Sequence, residues 1–229
     1  MIFTDRQEAG QKLVSKLKQF KNNPHAIILA LPRGGVVTAF EVAKALDLSL
    51  DLVVPRKISA PSNPEFAIGA IAEDGIGVFD TELISSYGIS QEYIDKEIEK
   101  EKKEAQRRLK TYRGNKTPID LQGKIAILVD DGIATGSTML AAIASVKAKK
   151  AEKIVVAVPV TAKDSLKKIE KEVDEVIYLD APLIFGAVGA FYKVFAQTTD
   201  EEVVEEHGAR QARSQDSRDA ENIRRDLLN

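Results

Sequence analysis

The chain contains no cysteine. Disulfide staples and thiolate metal sites are therefore excluded. Histidine is nearly as scarce. His25 and His207 are the only two, they lie far apart, and they build no zinc-spaced motif. Each is read as a surface or core histidine. No apolar stretch is long enough to span a bilayer. The N-terminal segment MIFTDRQEAGQKLV carries charges where a signal peptide would be apolar, so a cytoplasmic location and no membrane partner are expected. A net charge of -2 leaves no basic footprint for nucleic acid. What remains is ordinary for a globular protein: 44% hydrophobic residues, 14 glycines and 8 prolines. The 229 residues allow one large α/β domain or two small ones.

The most informative stretch runs from Ile125 to Thr138, IAILVDDGIATGST. Five apolar residues read as a buried parallel strand, and MLAAIASVKA after the loop reads as a helix. The loop therefore lies at the carboxyl edge of a sheet and at a helix N-terminus. Free backbone N–H groups and the positive end of the helix dipole favour a phosphate there. Gly132 and Gly136 allow close approach, and the hydroxyls of Thr135, Ser137 and Thr138 add donors. Asp130 and Asp131 cannot themselves bind a phosphate. They suit sugar hydroxyls or a hydrated Mg²⁺. A P-loop is ruled out, because Gly132 to Gly136 is one residue too short and no lysine precedes the hydroxyls. The GxGxxG dinucleotide fingerprint is absent.

Strand and helix patterns alternate along the rest of the chain. A helix is expected over residues 6–20, strands at Ala26–Leu31, Leu50–Val54, Ile154–Val158 and Val176–Leu179, and a helix over Val36–Leu46. Phe66–Ala72 and Ile76–Phe79 read as a strand pair. Ser90–Tyr112 reads as a long helix whose Glu/Lys run is a solvated face. Thr161-x-x-Asp164 and Thr199-x-x-Glu202 resemble helix capping boxes. This order implies an α/β fold, a parallel sheet flanked by helices, with ligands beyond the strand carboxyl ends.

The Ile125–Thr138 pattern closely resembles the signature of the type I phosphoribosyltransferases: an apolar strand, two acids, two mostly apolar residues, a variable one, then Thr-Gly-x-Thr. Gly132 is a mild departure. The resemblance implies roles by position. Asp130 and Asp131 would hold the 2′ and 3′ hydroxyls of phosphoribosyl pyrophosphate. Gly132, Ile133, Ala134, Thr135, Gly136, Ser137 and Thr138 would form the substrate loop, with Thr135 to Thr138 around the 5-phosphate. Ala134 stands where some members carry an aspartate near the base, so no general base is assigned.

Two further loops fit. Arg33, Gly34 and Gly35 follow a strand and open a helix, and an Arg beside free N–H groups suits a pyrophosphate. In the resembled family that place grips pyrophosphate, often through an unusual peptide geometry. Taken alone, RGG reads as a tight turn with a surface arginine; beside the Asp130 loop the functional reading is the better one. Arg56 and Lys57 stand at a strand end before Pro61, Ser62, Asn63 and Pro64, which favour a loop. The resemblance makes Arg56–Gly75 a mobile lid that brings cations to the pyrophosphate; the plain alternative is a long connection with two surface cations. Pro182, Phe185, Phe191, Tyr192 and Phe195 gather after the last strand, where the family builds a hood that receives a base. They stack on a base or simply pack the hood.

The resemblance covers roughly residues 24–200, including PRK and NPEFAIGAIAEDG, and is nearest to family members of unassigned acceptor. It implies one domain over residues 1–207, with its core at about 24–180, a hood from 1–20 and 181–200, and a polar helix or tail at 208–229. The implied activity is Mg²⁺-dependent transfer of a 5-phosphoribosyl group to a nitrogenous acceptor, a nucleobase by preference, with release of pyrophosphate. Arg33, Asp130 and Asp131 would be the catalytic residues. No metal ligand is directly assigned; Mg²⁺ would be held through substrate, waters and the two aspartates. A non-catalytic sensor of phosphoribosyl pyrophosphate and a hydrolase of it are the alternatives. A homodimer is compatible with either.

Overall fold

Runs of consecutive apolar residues have no polar face to offer water, so they settle as strands covered on both sides. The computed structural model describes residues 1–61, 63–114 and 116–208. Its strands are β1 (Ala26–Ala30), β2 (Ser49–Leu52), β3 (Arg56–Ala60), β4 (Asn63–Ile71), β5 (Gly77–Phe79), β6 (Ile125–Val129), β7 (Lys153–Val160) and β8 (Glu175–Asp180). Its helices are α1 (Arg6–Val14), α2 (Gly34–Leu46), α3 (Thr81–Ser86), α4 (Gln91–Arg113), α5 (Ser137–Ala148) and α6 (Lys163–Ile169). Residues 200–208 are also helical. Among the described residues, no helix is long and apolar enough to cross a membrane.

The parallel sheet has the order β2-β1-β6-β7-β8. Side chains alternate between its two faces, as strand geometry requires. Ile28, Ala30, Ile127, Val129, Val155 and Ala157 join one core with residues of α1 and α2. Ile27, Leu29, Ala126, Leu128, Val156 and Val158 join the other with residues of α5. Each fully buried Leu, Ile or Val contributes about 1.5–3 kcal/mol. β1 pairs with β2 on one side and β6 on the other, so the direction of chain winding reverses between β1 and β6. Ligand crevices open at such reversals, beyond the carboxyl ends of the strands. Ala30 pairs with Val129, which brings the two strand ends level.

The second sheet is the antiparallel β3-β4-β5, covered by α3 and α4 around Ile58, Ile68, Ile71 and Ile94. The expected strand pair is present as β4–β5. The segment from Arg56 was expected to be a loop, but it forms β3, the outer strand of a hairpin with β4. Pro61 suggested a loop throughout, yet it falls just after the last residue of β3, where it removes no ladder hydrogen bond. The long charged helix is α4. Lys96–Glu92 and Arg108–Glu104 pairs at i,i+4 lie along its wet side, at 2.8 Å each.

Two of three expectations on helix ends need adjustment. The helix expected over 6–20 stops at Val14 and continues as tight turns to Phe20. The Ser15 hydroxyl donates to the Lys12 carbonyl at 2.8 Å, competing with the helical ladder. Leu13, Leu17 and Phe20 lie in the main core, while Ala9 of the same segment packs with Phe3 and Tyr192. Thr161 caps nothing: Ala162 is the N-cap of α6, without a side-chain bond. Thr161 is held by the sheet edge instead, its N–H donating to the Asp180 carbonyl at 3.1 Å. Thr199 and Glu202 do form a reciprocal box, at 2.7 and 3.2 Å. The helix it opens buries Val203 and His207, so His207 is a core histidine. Residues 209–229, which the expected tail mostly comprises, lie outside the described residues.

Candidate active site

Two loops leave the level ends of β1 and β6. The first runs from Leu31 into α2 and contains a cis peptide between Pro32 and Arg33. It is the place where the resemblance implied unusual peptide geometry. The Leu31 N–H donates to the Val129 carbonyl at 3.1 Å, which keeps this loop against β6. Gly34 and Gly35 then begin α2 directly on the acidic pair. A Cβ on Gly34 would lie 2.1 Å from Asp131 Oδ2, and one on Gly35 would lie 2.7 Å from Asp130 Oδ1. The glycines are therefore needed for packing at the site, not merely as punctuation.

In the second loop, Asp130 and Asp131 follow β6. The Asp131 N–H donates to Asp130 Oδ1 at 2.8 Å, which fixes the first carboxylate. Burial and the adjacent Asp131 charge push Asp130 well above the usual carboxylate range. Burial raises Asp131 as well, against the opposing pull of Arg6. Gly132 lies under the cap: a Cβ there would come 2.6 Å from Val188. Ile133 turns inward, buried, with its N–H donating to the Val160 carbonyl at 2.9 Å. The Ala134 carbonyl accepts from the buried Ser165 hydroxyl. Ala134, Thr135 and Thr138 are exposed and Ser137 is half-buried. Gly136, at φ 82°, is the N-cap of α5 and offers no side chain to its first amides. Those N–H groups are thus open to an anion.

The sequence reading missed several residues here. Arg6, the first residue of α1, donates from Nε to Asp131 Oδ2 at 2.7 Å. The Tyr192 hydroxyl donates to the Asp131 carbonyl, and burial raises its pKa. Asp200 lies 3.7 Å from Arg33 and accepts from the Tyr112 hydroxyl at 2.7 Å. Burial and that acceptor push Tyr112 up to about 12. These contacts join residues far apart in sequence. The one local signal is Arg6, a cation in a helix's first turn, where the dipole disfavours it.

Arg33, Gly34, Gly35 and the Asp130–Thr138 loop are brought together. Arg56 is not drawn to them. Its guanidinium pairs with Glu101 of α4 at 2.7 Å, while Lys57 stands exposed on the same strand. The terminal segments meet above the sheet. The Phe3 N–H donates to the Phe191 carbonyl at 2.8 Å, and Phe3, Val160, Phe185, Val188, Phe191 and Tyr192 pack together. Tyr192 is buried by that packing, while Phe195 is half open at 38%. Carboxylate oxygens suit Mg²⁺. Among the described residues, no group of three or more acidic or histidine side chains forms a metal cage. Asp130 and Asp131 could supply part of an octahedral shell, with substrate oxygens and water completing it.

A parallel sheet with an acidic pair and an uncapped helix start at its winding reversal defines an α/β protein with a crevice at that reversal. The phosphoribosyl transferase domain family matches residues 5–192, and the chain belongs to that family. A Mycobacterium tuberculosis protein provisionally named as a phosphoribosyl transferase is 42% identical over 203 residues. The match takes in 89% of this chain and 46% of that protein, so the chain spans about half its relative's length. The crystal structure of TT1426 from Thermus thermophilus has a TM-score of 0.77 and 38% identity, covering 90% of this chain and 98% of that one.

Proposed function

We propose that the chain transfers a 5-phosphoribosyl group from phosphoribosyl pyrophosphate to a nitrogenous acceptor, a nucleobase by preference. The bond from the sugar's anomeric carbon to pyrophosphate breaks, and a bond from that carbon to the acceptor nitrogen forms. The observation that carries this reading is the placing of Asp130 and Asp131 beside the open start of α5, level with the Arg33 loop. The α5 amides, Thr135 and Thr138 suit the 5-phosphate. The two carboxylates suit the ribose hydroxyls and oppose the positive charge that develops on the sugar. Arg33 suits the leaving pyrophosphate. Mg²⁺, held through substrate, water and the aspartates, would neutralise the pyrophosphate charge.

The β3–β4 hairpin serves as the lid in this reading. Closure requires Arg56 to exchange Glu101 for pyrophosphate, and it excludes water from a reactive sugar. The segments at residues 1–20 and 181–200 would form the hood over the acceptor. A pyrophosphate-release assay with Mg²⁺, against purines, pyrimidines and no acceptor, tests the proposal. Turnover with one base supports the transferase. Binding without turnover makes the chain a sensor, and acceptor-independent release makes it a hydrolase.

A further inference from the structure

Arg6 is the point where three separated stretches of chain meet. Its Nε donates to Asp131 Oδ2 at 2.7 Å, and its Nη1 donates to the Ala196 carbonyl at 2.7 Å. The guanidinium carbon lies 3.9 Å from the centre of the Phe195 ring. Nη2 faces the Arg33 loop: a Cβ on Gly34 would lie 3.0 Å from it. The side chains of Arg6 and Asp131 are only 12% and 13% exposed. A planar fork can serve such a set of partners at once, which a lysine ammonium cannot.

The position is a poor one for helix stability. α1 otherwise follows the favourable order, with Asp5 as N-cap, Glu8 in the first turn and Lys12 in the last. Arg6 places a cation at the positive end of that dipole. Ordering a long side chain also costs rotamer freedom. The contacts that offset both costs are made to the acidic pair and to the cap, not within α1.

We propose that Arg6 is a positioning residue of the phosphoribosyl pyrophosphate site. It fixes the Asp131 carboxylate toward the sugar and ties it to the Phe195–Ala196 wall, so one guanidinium sets the donor sugar relative to the hood. This rests on the phosphoribosyl reading given above. Without Arg6, Asp131 loses its Nε donor and the link that joins it to the Ala196 carbonyl.

Calorimetric titration with phosphoribosyl pyrophosphate and Mg²⁺ tests the assignment. The parent protein is measured first; absence of binding there overturns the phosphoribosyl reading and this inference with it. Arg6→Ala and Arg6→Met should weaken binding by about tenfold or more, the scale of a charge-assisted hydrogen bond. Arg6→Lys keeps the cation beside Asp131 but not the fork, and should recover only part of the affinity lost in Arg6→Met. Guanidinium ion, at concentrations that leave the fold intact, should restore part of the binding lost in Arg6→Ala. A parent that binds, with folded Arg6→Ala and Arg6→Met variants binding equally well, overturns this inference alone. So does a loss that neither lysine nor guanidinium recovers, since that marks a role in α1 packing only. Should Arg6→Ala fail to fold, the comparison of Arg6→Lys with Arg6→Met decides.

Discussion

Gly35→Ala probes the contact on which the site's geometry depends. A Cβ at Gly35 would lie 2.7 Å from Asp130 Oδ1, 2.9 Å from Asp130 Cα and 3.1 Å from the Val129 carbonyl oxygen. The carboxylate could rotate away. The backbone atoms cannot, because Val129 is paired with Ala30 on one side and Ala157 on the other. Either α2 withdraws from the sheet or Asp130 moves. Overpacking of this kind costs about 1–3 kcal/mol. The better helix propensity of alanine returns no more than about 1 kcal/mol. With that return subtracted, the net loss is up to about 2 kcal/mol, or as much as roughly 8 °C in Tm for a chain of this size. Affinity for phosphoribosyl pyrophosphate should fall about tenfold with it, because Asp130 is displaced. Ile143→Val provides the control. Ile143 is buried on the α5 face, and the change costs about 1 kcal/mol without touching the acidic pair. Thermal denaturation and calorimetric titration of parent and both variants give the comparison. A Gly35→Ala variant as stable and as tightly binding as the parent would refute the packing argument. Equal loss of binding in Ile143→Val would show that affinity merely follows stability.

Asp130→Asn and Asp131→Asn should each fold and lose turnover by about tenfold or more, as expected for charge-assisted contacts; normal steady-state kinetics in both would remove the pair from the mechanism. Asp200→Asn keeps a partner for Tyr112 but removes the charge 3.7 Å from Arg33. It should tighten pyrophosphate binding by about two- to fivefold, the scale of a partly exposed pair, and unchanged or weaker affinity would count against competition for Arg33. Glu206 is pushed up to about 7, first by burial and then by Glu202, Glu41 and Glu205. Its folded pKa lies above its unfolded one, so the native state binds the extra proton and stability falls as pH rises from about 4.5 through 7. The neutral Glu206→Gln should then exceed the parent in stability by about 1 kcal/mol near pH 8, after allowance for solvent screening, and match it near pH 5. Parallel stability curves for the two proteins would dismiss the burial of that carboxyl.

The parts of the fold that follow from neighbouring residues were legible. β6 begins at Ile125 and ends at Val129, where the apolar run meets Asp130. α4 shows its charged face and its buried Ile94 and Ala105 in sequence periodicity alone. The reading failed where a local pattern lost to a tertiary partner. Thr161-x-x-Asp164 has nearly the composition of a capping box, but Thr161 is already committed to the sheet edge beside Asp180. β3 was hidden because its five residues become a strand through pairing with β4, which is a property of the assembled sheet. Within the candidate site, the contiguous loop could be read and the Arg6–Asp131 pair could not. Its members are 125 residues apart, and no periodicity spans that distance.

The signature loop encodes packing as firmly as it encodes ligand contact. Gly132 is small because Val188 of the cap presses on it. Ile133 is apolar because it enters the core, and its backbone is held from both directions: its N–H donates to Val160, and its carbonyl accepts from Ala162, each at 2.9 Å. Ser165 holds the next carbonyl, that of Ala134. Residues 132–134 are thus clamped to the ends of β7 and α6. Only after that clamp does the chain turn outward, at Gly136, with φ 82°. A loop anchored so close to its turn loses little further entropy when an anion settles on the α5 amides. In the proposed reading, the two apolar positions of the motif would serve the phosphate indirectly, by holding in place the backbone that would receive it.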